Sequence, residues 1–211
     1  MQLPIQLIAS LQSVKSFNQE AFIRVHESGE QVTSVRINPL REFNVEQFPV
    51  PATNLPWSTH GYYLSSRPSF TLDPLFHAGA YYVQEASSMF LEQAVRQTVD
   101  ISQSIAVLDL CAAPGGKSTL LQSIISRDSL LVSNEVIQSR VNILKENIIK
   151  WGASNVVVTN NDPKDFDKLG GMFDIMVVDA PCSGSGLFRR DPDAINEWSE
   201  ANVQLCAQRQ Q

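Results

Sequence analysis

The 211-residue sequence is short of cysteine, histidine and charge. Its three cysteines, Cys111, Cys182 and Cys206, are an odd number without a Cys-x-x-Cys spacing, which excludes a disulfide framework. Three scattered histidines, His26, His60 and His77, add no ligand spacing, so no metal site is expected. Charged residues make up 18% of the chain, against about 25% in an average soluble domain. The 43% hydrophobic content nevertheless argues for a folded chain. Basic residues are outnumbered 16 to 22, and a net charge of −6 excludes a strongly basic nucleic-acid-coating protein, though not a local basic patch. No apolar run approaches the ~20 residues that span a bilayer. The N-terminus, MQLPIQLIASLQSVK, lacks the basic start of a secretory signal. A cytoplasmic protein without a membrane partner is expected.

Length and pattern predict one domain plus a smaller N-terminal module: residues 1–82 as module and linker, with helices, short strands and a candidate RNA contact, and 83–211 as an α/β domain. Residues 1–28 carry two short helical patterns, with Leu3, Leu7 and Leu11 four apart and Phe22 and Val25 three apart. VTSVRINPL then alternates like a strand and closes at Pro39. Prolines at 49, 51, 56, 68 and 74 forbid a continuous helix or central strand across the aromatic-rich stretch from about 40 to 82. That stretch reads as short strands and ordered loops forming a linker; its tyrosines and tryptophan could stack on bases, but read more simply as core and linker aromatics. From residue 85 a helical stripe is expected at Met89, Phe90, Ala94 and Val95. Apolar strands at 106–110, 130–135, 155–160 and 173–180 then alternate with helices, the pattern of a parallel sheet covered on both faces. Val141, Leu144, Ile148 and Trp151 fall on one face of the helix between the second and third strands, and Gly152 stands where a C-terminal cap belongs.

The loop DLCAAPGGKS (109–118) invites comparison with a phosphate-binding loop. That motif needs a glycine five residues before Gly116, where the chain has Cys111, so an ATP site is set aside. A dinucleotide fingerprint fails as well, because Ala112, Ala113 and Pro114 occupy its space. What remains is a small-residue turn at the carboxyl end of the first strand. It either brings backbone amides close to a ligand or merely eases strand-to-helix packing, and local spacing leaves both open. Acidic residues at the strand ends favour a ligand. Asp109, Glu135, Asp162 and Asp179 stand at or just beyond the carboxyl ends of successive strands, suiting a ligand with a ribose and a positively charged amino-acid end. Each alone reads more simply as a solvated charge or helix cap. Together they fit S-adenosylmethionine better than a pyrophosphate-bearing nucleotide.

Several of these segments are recognisable. DLCAAPGGKSTLL, NEVIQSRVNILKENIIKWG, VVVTNND and above all DAPCSGSGLFRRDP resemble the Sun-type (Nol/Nop/Sun) family of RNA cytosine-5 methyltransferases. YYVQEASSM, SVRINPL and the ending DPDAINEWSEANVQLCAQRQQ are similar to its bacterial branch acting on small-subunit ribosomal RNA, the F-type enzymes. The resemblance implies a class I, Rossmann-like S-adenosylmethionine-dependent methyltransferase sheet with a small α+β N-terminal module. It implies cofactor contacts at Cys111, Ala112, Ala113, Pro114, Gly115, Gly116 and Lys117, and at Glu135, Asp162 and Asp179. Cys182 and Asp179 become the catalytic candidates. Arg189 and Arg190, just after the Pro-Cys loop, become candidates for contact with RNA phosphates. Gln84 and Glu85 read equally as site-lining residues or helix caps.

The implied chemistry accounts for a cysteine. Carbon 5 of cytosine is too poor a nucleophile to take a methyl group directly, so a thiolate adds to carbon 6 and turns the ring into an enamine. After transfer a base removes the carbon-5 proton and the thiol is expelled. An exocyclic-amine methyltransferase would carry an Asn/Asp-Pro-Pro-Tyr/Phe type turn where this chain reads Asp-Ala-Pro-Cys. One departure from the family is large. Its members pair a Pro-Cys cysteine, which assists product release, with a nucleophile in a Thr-Cys motif on the next strand, and no Thr-Cys dipeptide occurs here. Cys206, on a helical stretch, is expected to be a buried structural residue. The sheet is therefore expected to be C-terminally truncated, without its last three strands, and the chain to be an N-terminal portion of a longer enzyme. The alternative is a catalytically inactive RNA- or cofactor-binding fragment.

Overall fold

The computed structural model describes residues 3–210. The chain forms two compact units, one from Val32 to Asp179, the other from the residues up to Gln31 with those from Ala180 onward. The N-terminal stretch holds two helices, α1 (Ile5–Leu11) and α2 (Gln19–Glu27). Asn18 starts α2 by accepting the Ala21 amide on its side chain, the usual way an Asn satisfies an unpaired first-turn donor.

The Val32–Asp179 unit opens with a four-stranded antiparallel sheet of β1 (Thr33–Ile37), β2 (Ala52–Asn54), β3 (Gly61–Leu64) and β4 (Tyr81–Val83), in the order β2-β3-β1-β4. The prolines that rule out one long element stand between these strands. The stretch read as a linker thus supplies two strands, and the 82/83 boundary falls inside β4. Its aromatics are core. The rings of Phe43, Phe48, Phe70 and Phe76 lie 4.9–5.9 Å from that of Tyr81, whose hydroxyl donates to Asp73 at 2.6 Å. A short helix, α3 (Pro74–His77), leads into Gly79, where a Cβ would stand 2.1 Å from the Lys150 carbonyl oxygen, so only glycine fits.

A 3₁₀ turn, Ser87–Phe90, runs into α4 (Leu91–Thr98). Here the expected stripe is wrong in part. Met89 and Val95 are buried, but Phe90 and Ala94 are exposed and Glu92 lies inside. The tighter 3₁₀ turn changes the angular step between residues, so an α-helical period extrapolated across it drifts off the buried face. Glu92 is accommodated by Ser58, Thr59 and Arg96. Burial alone would raise its pKa, but the hydrogen bonds from Thr59, Ser58 and Arg96 outweigh that and hold it below the usual value.

The second sheet is parallel: β5 (Ala106–Asp109), β6 (Leu130–Asn134), β7 (Val156–Thr159) and β8 (Ile175–Val177), in the order β7-β6-β5-β8. Helix α5 (Gly116–Ile124) joins β5 to β6, and α6 (Gln138–Trp151) joins β6 to β7. Val141, Leu144, Ile148 and Trp151 are the buried face of α6, as its spacing predicts, and Gly152 caps it at φ 85°. The chain steps from β5 outward to β7 and then returns to the other side of β5. Strand order therefore reverses between β5 and β8, and open α/β sheets bind ligands at the carboxyl ends of the strands flanking such a reversal.

In the other unit the C-terminal stretch carries 3₁₀ turns and α7 (Glu200–Arg209), which begins at Ser199, whose hydroxyl oxygen accepts the Asn202 amide. Cys206 on α7 is only half-buried, because α7 presents no fully buried face among the described residues.

Candidate active site

The turn between β5 and α5 is built from small residues held on several sides. Ala112 donates its amide to the Asn134 carbonyl at 2.7 Å, and Gly115 donates to the Ala112 carbonyl at 2.7 Å. Gly115 sits at φ 108°, open only to glycine at low cost, and hands the chain to α5. The first amides of α5 have no partner within the helix and face the carboxyl edge of the sheet with its positive end. Ala112, Ala113 and Gly115 are buried, Cys111, Gly116 and Lys117 half-buried, and Pro114 exposed. Burial, then the charges of Glu135, Asp109 and Asp179, push the Cys111 thiol pKa up, which disfavours a reactive thiolate.

The four acids behave differently. Asp109, the last residue of β5, is fully buried. Its Oδ2 accepts Ser118 Oγ at 2.6 Å, and Ser133 donates in turn to Ser118 at 2.9 Å. Its Oδ1 is buried without a hydrogen-bond partner. Burial pushes its pKa up to about 6, against the opposing hydrogen bond from Ser118 and the charge of Lys117. Glu135 is also buried. Its carboxylate accepts the Ile137 amide at 2.9 Å and the Ala113 amide at 3.3 Å, with Arg140 3.4 Å away. Asp162 is exposed and caps the 3₁₀ turn Pro163–Leu169 by accepting the Lys164 amide at 2.9 Å. Asp179 is 57% exposed and forms an ion pair with Lys117. That pair links the end of β8 to the start of α5 across the strand-order reversal.

Several residues that shape this edge carry no local sequence signal. Arg140 donates to the Ala113 carbonyl at 2.7 Å and Asn147 to the Pro114 carbonyl at 2.8 Å, both reaching from α6. Asn134, the last residue of β6, ties the segments that follow β5 and β7 together. It donates to the carbonyls of Leu110 and Asn161 and accepts from Thr159 Oγ1 and the Asn161 amide. Gln84, left open between lining a site and capping a helix, is not a cap and reaches the β5–α5 turn. It accepts from Arg36 Nε at 2.9 Å and donates to the Gly116 carbonyl at 3.1 Å, whereas Glu85 is exposed.

In the other unit Cys182 is exposed, three residues along the chain from Asp179. Arg190 is exposed, whereas Arg189 is half-buried and donates to the Glu30 carbonyl at 3.3 Å. Among the described residues no group of three His, Cys, Asp or Glu is arranged to hold a metal ion, and no helix is long and apolar enough to cross a membrane.

Comparison with known proteins agrees with this architecture. A family model described as 16S rRNA methyltransferase RsmB/F matches residues 97–211, and one described as the N-terminal domain of 16S rRNA methyltransferase RsmF matches residues 3–86. The ribosomal RNA small subunit methyltransferase F of Shewanella loihica is 38% identical over 157 residues, covering 72% of this chain and 32% of that protein. The protein of the same name from Vibrio cholerae is 36% identical over 190 residues, covering 84% and 39%. The matched stretches thus span only 32% and 39% of the length of these two curated relatives. Among solved structures, a methyltransferase homologue from Pyrococcus horikoshii superposes with a TM-score of 0.70 at 24% identity, covering 99% of this chain and 70% of that one. NSun6 from Pyrococcus horikoshii, solved with SFG, gives 0.79 at 15% identity, covering 98% and 77%. The parallel sheet is accordingly a class I methyltransferase sheet, and the chain belongs to the 16S rRNA methyltransferase RsmB/F family.

Proposed function

We propose that this chain carries the cofactor-binding edge of an S-adenosylmethionine-dependent cytosine-5 methyltransferase acting on small-subunit ribosomal RNA. The observation that carries the reading is the β5–α5 turn at the strand-order reversal, with first-turn amides of α5, a buried Asp109 and the Lys117–Asp179 pair around it. These residues fit the cofactor. Asp109 has one buried oxygen without a partner, able to take a hydrogen bond from a cationic amino-acid end. Residues Cys111 to Lys117 would line the methionine part, with Glu135 and Asp162 toward the ribose and adenine. When bound, S-adenosylmethionine supplies an electrophilic methyl group.

The remaining steps fall to the protein. Asp179, paired with Lys117 beside the cofactor's methionine end, would also orient the cytosine by accepting from its exocyclic amine. Cys182, on the Pro-Cys loop, would assist release of the methylated base, and Arg190 and Arg189 would contact RNA phosphates. The curated relatives carry the ribosomal RNA name, which supports the substrate assignment.

Two measurements test the proposal. Calorimetric titration of the purified chain with S-adenosylmethionine should give one site, and absence of binding would overturn the reading. Tritiated methyl transfer to small-subunit ribosomal RNA should give no 5-methylcytosine with this chain alone, since no Thr-Cys nucleophile is present. Robust transfer that disappears in Cys182→Ala would instead make Cys182 the nucleophile.

A further inference from the structure

The strand β1 has polar side chains on a face that is not solvated. Ser34 and Arg36 lie on that face, Asn38 continues the alternation one residue past the strand's end, and all three are buried. Each reaches a different element. Ser34 donates to the Gln84 carbonyl at 2.6 Å. Asn38 donates to the carbonyls of Gly79 and Trp151, both at 2.8 Å, and so holds the end of α6. Arg36 holds the start of α5.

Arg36 has all five guanidinium donors used. Nε donates to Gln84, Nη1 to the Thr119 carbonyl (3.1 Å) and Ser123 Oγ (2.9 Å), and Nη2 to the Gly116 carbonyl (3.2 Å) and Thr119 Oγ1 (2.6 Å). Its guanidinium carbon lies 4.4 Å from the centroid of the Trp151 ring, and among the described residues no carboxylate forms a salt bridge with it. Burying an unpaired cation is costly, and an apolar side chain would pack there more cheaply. What an apolar residue lacks is direction. A planar fork with every donor engaged fixes both the height and the rotation of the helix it grips.

We infer that Arg36 is a positioning residue for the cofactor turn: through Gly116, Thr119 and Gln84 it sets where the α5 amides and Lys117 stand relative to β5. This rests on the reading of that turn as the S-adenosylmethionine site. Gln84 gives the grip a second point, since it touches both Arg36 and Gly116.

The test combines three readouts on the 211-residue chain carrying Arg36→Met, Arg36→Lys or Thr119→Val. Arg36→Met keeps the bulk and removes the fork, and Arg36→Lys keeps the charge. Hydrogen exchange in the peptide covering residues 111–119 should accelerate at least about tenfold in both Arg36 variants, the value of one lost hydrogen bond from a charged donor. Protection in β6 and β7 should be retained. Affinity for S-adenosylmethionine should fall by about the same factor, and lysine should not rescue it. Thr119→Val removes one acceptor and leaves the cation in place, so it should loosen the same peptide to a smaller degree if the Arg36 variants do not fold. Unchanged exchange at 111–119 in the folded variants, or protection lost evenly across both sheets, would overturn the inference. If the wild-type chain binds no S-adenosylmethionine while the Arg36 variants still loosen the turn, the cofactor reading fails and the positioning role stands.

Discussion

Asp109 and Glu135, at the ends of β5 and β6, and Asp162 and Asp179, beyond β7 and β8, occupy equivalent points in the sequence pattern but different physical states. The inner two are buried among hydrogen-bond donors, and the outer two are exposed. A strand in the middle of the sheet has neighbours on both sides, so loops from both close over its end. The outer strands have only one neighbour each. Standing at a strand end is therefore not one property. The inner acids are part of the scaffold that shapes the turn, whereas the outer acids can be changed with little effect on that scaffold.

The sharpest way to break this comparison is at Glu135. Glu135→Ala leaves the Ala113 and Ile137 amides without their acceptor and Arg140 without its partner. We expect a loss of about 3 kcal/mol in stability, the range for buried donors left unsatisfied, together with loss of S-adenosylmethionine binding. Glu135→Gln, which keeps an acceptor, should recover most of the stability. Denaturant unfolding measures the first effect and calorimetry the second. A Glu135→Ala chain as stable as wild type would return Glu135 to the class of the outer acids.

Asp109 should show itself through pH. Its folded pKa of about 6 lies above the unfolded value of 3.8, so the folded state binds the proton more tightly. The contribution to stability is complete below about pH 4 and is lost as pH rises through about 6, roughly 3 kcal/mol in all. Asp109→Asn should flatten that part of the stability–pH profile. A profile with the same slope in the variant would mean that another group titrates there.

Much of the fold was legible because it depends on local pattern. The apolar strand runs, the stripe of α6 and Gly152 at its end all report on neighbouring residues in the chain. The candidate site was visible only in outline, as a small-residue turn and an acid after each strand. Arg36 illustrates what was hidden. The alternation of SVRIN predicts a strand with one solvated face, and nothing nearby says that the polar face meets Gly116 and Thr119, some 80 residues on. Arg140, Asn147 and Asn134 were invisible for the same reason. Their partners are backbone carbonyls and amides, which leave no trace in side-chain identity.

The comparison extends to Asp162, where a smaller effect is expected. Asp162→Ala removes the cap on the turn Pro163–Leu169, worth about 1 kcal/mol, and should leave the exchange protection of β5 and β6 untouched. If Asp162 contacts the cofactor as proposed, affinity for S-adenosylmethionine falls more than stability does. Equal small losses in both would leave it a cap alone.

Asp179 is expected to show the smallest change in stability and the clearest separation of scaffold from site. Its carboxylate is more than half exposed and pairs with a Lys117 that is itself partly accessible. Solvent screens such a pair, and exposed ion pairs contribute about 0–1 kcal/mol. Asp179→Asn keeps the shape and one acceptor oxygen while removing the charge, so the unfolding midpoint should barely move. The functional consequence runs the other way. With the carboxylate gone, Lys117 becomes an uncompensated cation at the start of α5, beside the place proposed for a sulfonium that is itself positive. Affinity for S-adenosylmethionine should therefore fall, and it should fall more at low salt, where the added repulsion is least screened. Lys117→Met in the same chain should restore part of the loss by removing the repelling charge. An Asp179→Asn chain with unchanged affinity at every salt concentration would take Asp179 and Lys117 out of the cofactor site together.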